Sequence, residues 1–254
     1  MLLNKTACRQ ALSKKLFVPY LQPIYDAKNS TCIGAEVLAR LPYKQSNVLK
    51  PEAFLHTINS TKELRVLMHI LFEKMSIFLT NNYIPPGFIL TFNITADMVG
   101  EPWLSKKCSS IMSRTGGKIT LVAEITEQQP LTKYSPHWLV NRSLLKETGV
   151  LLALDDFGTG CSSLHLLQQT EAEILKLPRE FVSTMGEFDF STSIVDIIVQ
   201  LADTQGLQVI AEGVETREQL NLLTERGITL MQGYYFSPAL CVEAFFEHLD
   251  KHGL

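Results

Sequence analysis

The sequence predicts an α/β fold, a modified TIM-type (β/α)8 barrel with an antiparallel first strand, and three observations carry that reading. Eight short runs rich in β-branched and aromatic residues recur along the chain. Helical patterns fill most of the gaps between them, and the length of 254 residues matches the size of such a barrel. An open doubly wound sheet is the competing arrangement of the same elements.

The runs, in order, are LFVPYLQPI (16–24), TCIGAEVLA (31–39), FILTFNI (88–94), KITLVAE (118–124), VLLALD (150–155), AEILKL (172–177), LQVIAE (207–212) and ITLMQG (228–233). Only DAKNS separates the first two. A parallel crossover needs about a dozen residues or more, so this turn-rich link makes the first pair antiparallel. Beyond the second run the gaps hold helical patterns such as TKELRVLMHILFEKMSIFLTN (61–81), STSIVDIIVQLADTQG (191–206) and TREQLNLLTERG (216–227). The last two end on Gly, as a helix C-terminus often does.

The composition is 46% hydrophobic and 19% charged, enough for one large core, so residues 1–254 are expected to form a single domain. A net charge of −3 provides no broad positive surface for duplex nucleic acid or an anionic membrane. The five cysteines, at 8, 32, 108, 161 and 241, form no CxxC pair, and the six histidines no HxH or HExxH spacing. A thiolate or histidine metal site and a disulfide framework are therefore not indicated. The N-terminus lacks the apolar core of a signal peptide, and no run approaches the ~20 apolar residues that span a bilayer, so a cytoplasmic protein without membrane insertion is expected. GxSxG, GxxxxGK[ST] and GxGxxG are absent, and the DFG of DFGTG has no HRD loop to accompany it.

The polar residues are placed more tellingly. Glu36 lies late in the second run, Asn93 late in the third, Glu124 at the end of the fourth, and Asp155 with Asp156 after the fifth. Lys176 lies late in the sixth, Glu212 ends the seventh and Gln232 comes near the end of the eighth. Taken singly, each reads as a solvated group or a helix cap. Seven in succession read as one site at the C-terminal rim of a barrel, where active sites are built. Five carboxylates on one rim raise each other's pKa unless cations neutralise them. Hard oxygen donors and one amide, with no Cys or His, select Mg²⁺ or Mn²⁺. Two adjacent aspartates suit two ions about 3.5–4 Å apart, the arrangement used in phosphoester hydrolysis. A single ion acting on an enolate is the rival chemistry, which ligand types alone leave open.

YLQPIYDAKNSTCIGAEVLAR, FNIT, AEITE, LALDDFGTGCSSL, ILKLPREF, VIAEGVET and MQGYYFSPAL, in this order and spacing, resemble the EAL domain family of bacterial cyclic di-GMP phosphodiesterases. The match runs from about Tyr20 to Leu240. The resemblance implies a homodimer that hydrolyses cyclic di-GMP to linear pGpG with two Mg²⁺ or Mn²⁺ ions. It implies that Glu36, Asn93, Glu124 and Asp155 hold the first ion and that Asp155, Asp156 and Glu212 hold the second. Lys176 matches the family's catalytic lysine, which holds or polarises the attacking water, and Glu127 the glutamate that holds the loop after DDFGTG. Glu215 matches a supporting carboxylate, while Gln22, Leu38, Arg40 and Gln232 match positions that contact the ligand.

Two departures stand out. The signature triplet reads Glu36-Val37-Leu38, with Val37 where alanine is usual. Where the family has Lys-x-Asp, this chain has Lys176-Leu177-Pro178, so the expected carboxylate is replaced by a ring with neither side-chain acceptor nor N–H. That departure keeps a second expectation open, a catalytically degenerate EAL protein that acts as a cyclic di-GMP receptor or regulates a protein partner.

Overall fold

The computed structural model describes residues 2–44, 47–58, 60–126, 136–160, 163–186 and 189–253. Helix α1 (Lys5–Ser13) starts at Asn4, whose side chain accepts the Ala7 N–H, and leads into β1 (Val18–Asp26) and β2 (Thr31–Tyr43). These two pair antiparallel from Val18↔Arg40 to Asp26↔Thr31, as the short DAKNS link requires. A short β3 (Asn47–Leu49) and two 3₁₀ turns (Pro51–Ala53, Leu55–Thr57) then lead to α2 (Thr61–Asn81). This helix has the bounds read from its pattern, and its start is set by Ser60, whose hydroxyl accepts the Glu63 N–H at 3.2 Å.

The chain continues through β4 (Phe88–Ile94), α3 (Ala96–Val99), α4 (Pro102–Arg114), β5 (Ile119–Thr126), α5 (Pro136–Glu147), β6 (Leu151–Asp155), α6 (Ser163–Thr170) and β7 (Ile174–Leu177). It ends with α7 (Arg179–Thr184), α8 (Asp189–Gln205), β8 (Gln208–Ala211), α9 (Arg217–Glu225), β9 (Leu230–Met231), β10 (Leu240–Cys241) and α10 (Val242–His252). Gly206 and Gly227, at φ 68° and 81°, stop α8 and α9 by taking the left-handed conformation. A capping box between Thr216 and Gln219 starts α9.

Strands β1, β2, β4, β5, β6, β7, β8 and β9 hydrogen-bond in a closed ring. Seven run parallel to one another, and β1 runs antiparallel to both its neighbours, β2 and β9. The eight runs read from the sequence are these eight strands. The shortest, β9, has only two of the six residues of its run, and β3 and β10, which extend β2 and flank β1, were not expected. Pieces of two or three residues carry too little alternation to be recognised.

The period of two sorts the side chains. Inside the ring, Val122, Ala153, Ile174 and Ile210 are fully buried and packed with Ile89, Leu151 and Leu230. On the outside, Leu90, Phe92, Leu121, Leu154 and Leu175 join the large core beneath the helices, with Phe72 of α2 set edge-on to Phe92 at 4.8 Å. No helix among the described residues is long and apolar enough to cross a membrane.

Candidate active site at the barrel rim

Parallel strands in a closed ring all end on the same side, so the inward residue nearest each end reaches a common space. The apolar layer of Val122, Ala153, Ile174 and Ile210 is followed, two residues further along each chain, by Glu124, Asp155, Lys176 and Glu212. Strand register supplies the rest: Glu36 lies opposite Gln22 on β1 and Thr91 on β4, and Asn93 lies opposite Glu124.

Lys176 is at the centre of this set. Its ammonium, on a side chain 1% exposed, lies 2.5 Å from Glu212, 2.9 Å from Glu124 and 3.5 Å from both Glu36 and Asp155. Burial opposes the charge on Lys176, but Asp155, Glu124, Glu212 and Glu36 outweigh it and hold the amine well above its usual range. Burial also raises the carboxylates. Glu124, with no exposed surface, is driven well above the ordinary carboxylate range, Lys176 offsetting only part of the effect of burial and of Glu36, Asp155 and Glu212. Glu212 is pushed up to about 7 by burial, helped by Asp155 and Glu36 and opposed by Lys176. Glu36 goes the other way. The cost of its burial is outweighed by Lys176 and by hydrogen bonds from Gln232 and Asn93. The Gln232 amide donates to Glu36 at 2.8 Å and to Glu212 at 3.1 Å, and the Asn93 amide donates to Glu36 at 2.7 Å.

The adjacent aspartates sit where β6 turns. Asp155 ends the strand, and Asp156 takes a left-handed backbone, φ 54°, that is unusual for a residue with a side chain but better tolerated by Asp than by most. The Asp156 N–H donates to the Asp155 carboxylate at 3.1 Å, while its own C=O accepts the Thr159 hydroxyl at 2.9 Å. The turn thereby brings oxygens of Asp155, Asp156 and Glu212 within 4.8 Å of one another. Burial and the neighbouring Asp155 together raise the Asp156 carboxyl.

A cavity of about 540 Å³ opens beside these aspartates. Leu38, Asn93, Thr126, Asp155 and Asp156 form its polar end and near wall, and Leu55, Leu64, Met68 and Phe72 its apolar side. Leu64, Met68 and Phe72, on α2, look like ordinary core residues in the sequence, and nothing there marks them as walls of a cavity. Arg40 is buried, donates to the Ala39 carbonyl at 3.0 Å and lies over the Tyr20 ring at 5.7 Å, an aromatic partner that was not anticipated. Gln22 is half-buried on β1, and Gln232 is 4% exposed.

Other expected residues fall elsewhere. Glu215 is exposed and pairs with Arg179 at 2.8 Å, and Glu127 lies outside the described residues. Pro178 is buried at the start of α7, with its carbonyl accepting the Phe181 N–H.

The donors fit divalent cations. They are hard oxygens, three of the carboxylates already converge, and both Glu124 Oε1 and Gln232 Oε1 are buried with no hydrogen-bond partner among the described residues. A buried, unsatisfied oxygen costs free energy that a cation or water would recover.

Comparison with known proteins agrees with this fold. The family model for the EAL domain matches residues 5–239. The chain belongs to the EAL domain family. Among its relatives are the cyclic di-GMP phosphodiesterase PdeL of Escherichia coli K12, 32% identical over 231 residues, and the cyclic di-GMP phosphodiesterase RocR of Pseudomonas aeruginosa, 30% identical over 234 residues. These alignments cover 90% and 91% of this chain but 64% and 59% of the relatives. The chain therefore spans only part of the length of the curated relatives it matches. Among solved structures, an EAL domain protein from Listeria monocytogenes aligns with a TM-score of 0.79 at 28% identity, over 99% of both chains. The PaMucR phosphodiesterase in its c-di-GMP complex aligns with a TM-score of 0.78 at 29% identity, over 94% of this chain and 98% of that one.

Proposed function

We propose that this EAL domain hydrolyses cyclic di-GMP to linear pGpG, using two divalent cations, Mg²⁺ or Mn²⁺, at the rim site. The observation that carries the reading is the convergence of Asp155, Asp156 and Glu212 next to a cavity and around a buried lysine. Glu36, Asn93, Glu124 and Asp155 would hold one ion, and Asp155, Asp156 and Glu212 the other, with Asp155 shared. Bound cations would supply Lewis acidity, making water a competent nucleophile near neutral pH and offsetting charge on the phosphate. Water adds to phosphorus, one P–O3′ bond breaks, and the freed 3′ oxygen takes up a proton. The product keeps a 5′ phosphate at one end.

The chain's own groups orient these partners. Lys176, held among four carboxylates, keeps a positive charge where the phosphate oxygens and the attacking water would meet, a form of electrostatic preorganisation. Gln232 and Asn93 hold Glu36 in place through their amides. Leu38, which lines the cavity, together with Arg40, Gln22 and Gln232 would contact the ligand, and Glu127 and Glu215 would have supporting roles. We place the protein in the cytoplasm as a homodimer that binds neither duplex nucleic acid nor membrane. Light scattering of the purified protein tests the oligomeric state.

The deciding experiment incubates pure protein with cyclic di-GMP, with and without Mg²⁺ or Mn²⁺, and looks for pGpG. Absence of pGpG, where a control enzyme makes it in the same buffer, would reject the reading. Pro178 supports a second one, a receptor that binds cyclic di-GMP without turnover, since no carboxylate stands at that position. Calorimetry showing tight binding with no hydrolysis would favour the receptor. Recovery of pGpG formation in Pro178→Asp would then identify the missing acid as the cause.

A further inference from the structure

Glu212 must hold its carboxylate against those of Asp155 and Asp156, yet it lies one residue past the end of β8. Three backbone bonds restrain it from within the barrel. Its own N–H donates to the Leu177 carbonyl at 3.0 Å, the Val214 N–H to the Gln232 carbonyl at 3.1 Å, and the Tyr235 N–H to the Val214 carbonyl at 2.9 Å. Between these anchors Gly213 has φ 67°, a left-handed conformation that glycine adopts without strain because it has no Cβ.

Arg179 closes the remaining side. A Cβ at Gly213 would fall 2.3 to 2.9 Å from Arg179 Cγ, Cβ and Cδ, so the aliphatic stem of the arginine lies directly against the glycine backbone. The guanidinium continues past it to Glu215, 2.8 Å away. Pro178 immediately precedes this arginine, buried, with its ring setting φ at −69°. The residue that stands where the family has an acid thus gives the arginine stem a rigid mount.

We propose that Arg179 is a positioning residue for the ion held by Asp155, Asp156 and Glu212: its stem pins Gly213 and thereby holds the Glu212 carboxylate in register with the two aspartates. The inference rests on the reading of that trio as an ion site. The stem is the part that acts. The ion pair to Glu215 is 65% and 40% exposed at its two ends, and exposed pairs contribute little. The hydrocarbon stem lies against the half-buried glycine and limits its rotation.

The test is Mn²⁺ binding to the full chain, by calorimetry and by the electron paramagnetic resonance signal of the bound ion. Asp156→Asn identifies which of the two binding events belongs to this site. Arg179→Ala removes stem and charge, while Arg179→Met keeps a stem of similar length without charge. Thermal unfolding of each variant confirms that the fold is retained. Arg179→Ala is expected to weaken this ion about tenfold, the lower end of what supporting residues around metal ligands contribute. Arg179→Met is expected to stay within about twofold of the parent, because its stem still covers the glycine. Mn²⁺ bound by the parent with unchanged affinity in Arg179→Ala would overturn the inference alone. Arg179→Met as weak as Arg179→Ala would overturn the role given to the stem. A parent that binds no Mn²⁺ would remove the ion-site reading and this inference with it.

Discussion

Replacing Lys176 by methionine is the most informative single perturbation of the fold, because it keeps the volume and deletes the charge at the centre of the site. At an effective dielectric of about 20, a unit pair 2.5 to 3.5 Å apart attracts by about 5–7 kcal/mol. Four such contacts do not add, since the carboxylates repel one another and every buried ion has lost several kcal/mol of hydration. What remains is set by the carboxylates left behind. Glu124 is fully buried and Glu36 nearly so, and stranding a buried partner costs about 3–5 kcal/mol. Lys176→Met is therefore expected to lose about that much stability in urea unfolding at neutral pH with a chelator present. Mg²⁺ or Mn²⁺ should stabilise the variant more than the parent, because the carboxylates no longer share themselves with an ammonium and a ligand at a hundred times its Kd adds about 2.7 kcal/mol. A loss under about 1 kcal/mol, the range of an exposed pair, or equal cation-linked stabilisation in both proteins, would refute the reasoning.

Three other outcomes follow from the same structure. Glu36→Ala removes the carboxylate that receives both amides and is expected to lower metal-dependent pGpG formation by at least about a hundredfold, beyond what supporting residues around a metal cost; near-parental rates would contradict the two-ion reading. Phe92→Ala empties the contact with Phe72 beneath α2 and should cost about 3–5 kcal/mol in denaturant unfolding; a cost below about 1 kcal/mol would show that this layer collapses freely. His248 pairs with the Tyr25 hydroxyl at 2.7 Å, and burial first, then His252 and Lys251, lower its pKa below the usual 6.5. A depressed histidine favours the neutral form when folded, so its contribution is present above pH 6.5 and is lost as pH falls through the folded value. His248→Gln should flatten that part of the stability profile, and an unchanged slope would remove His248 as its source.

Much of the site was legible because the relevant signal is local. Glu36, Asn93, Glu124, Asp155 and Lys176 each lie late in an apolar, β-branched run, and a period of two assigns them to the inward face without reference to anything else in the chain. Helix α2 was equally plain from its helical pattern over 61–81, and the structure added Ser60 as its cap. Where the signal was short it failed. The two residues of β10 and three of β3 show no period, and the cavity wall formed by Leu64, Met68 and Phe72 looks the same in sequence as the core around it.

The amino-acid sequence by itself determined which residues face inward, in what order they meet the rim and which hard-ligand chemistry they suit. Only the tertiary structure decided what they do to each other. It put Lys176 among four carboxylates, joined Gln232 to Glu36 across 196 residues, turned Asp156 into a left-handed bend, and laid Arg179 over Gly213 beside Glu215. Alternation is a property of neighbouring residues and can be read along the chain. Distances between strand ends are set by closure of the ring, whose register and turns depend on contacts between residues far apart in sequence.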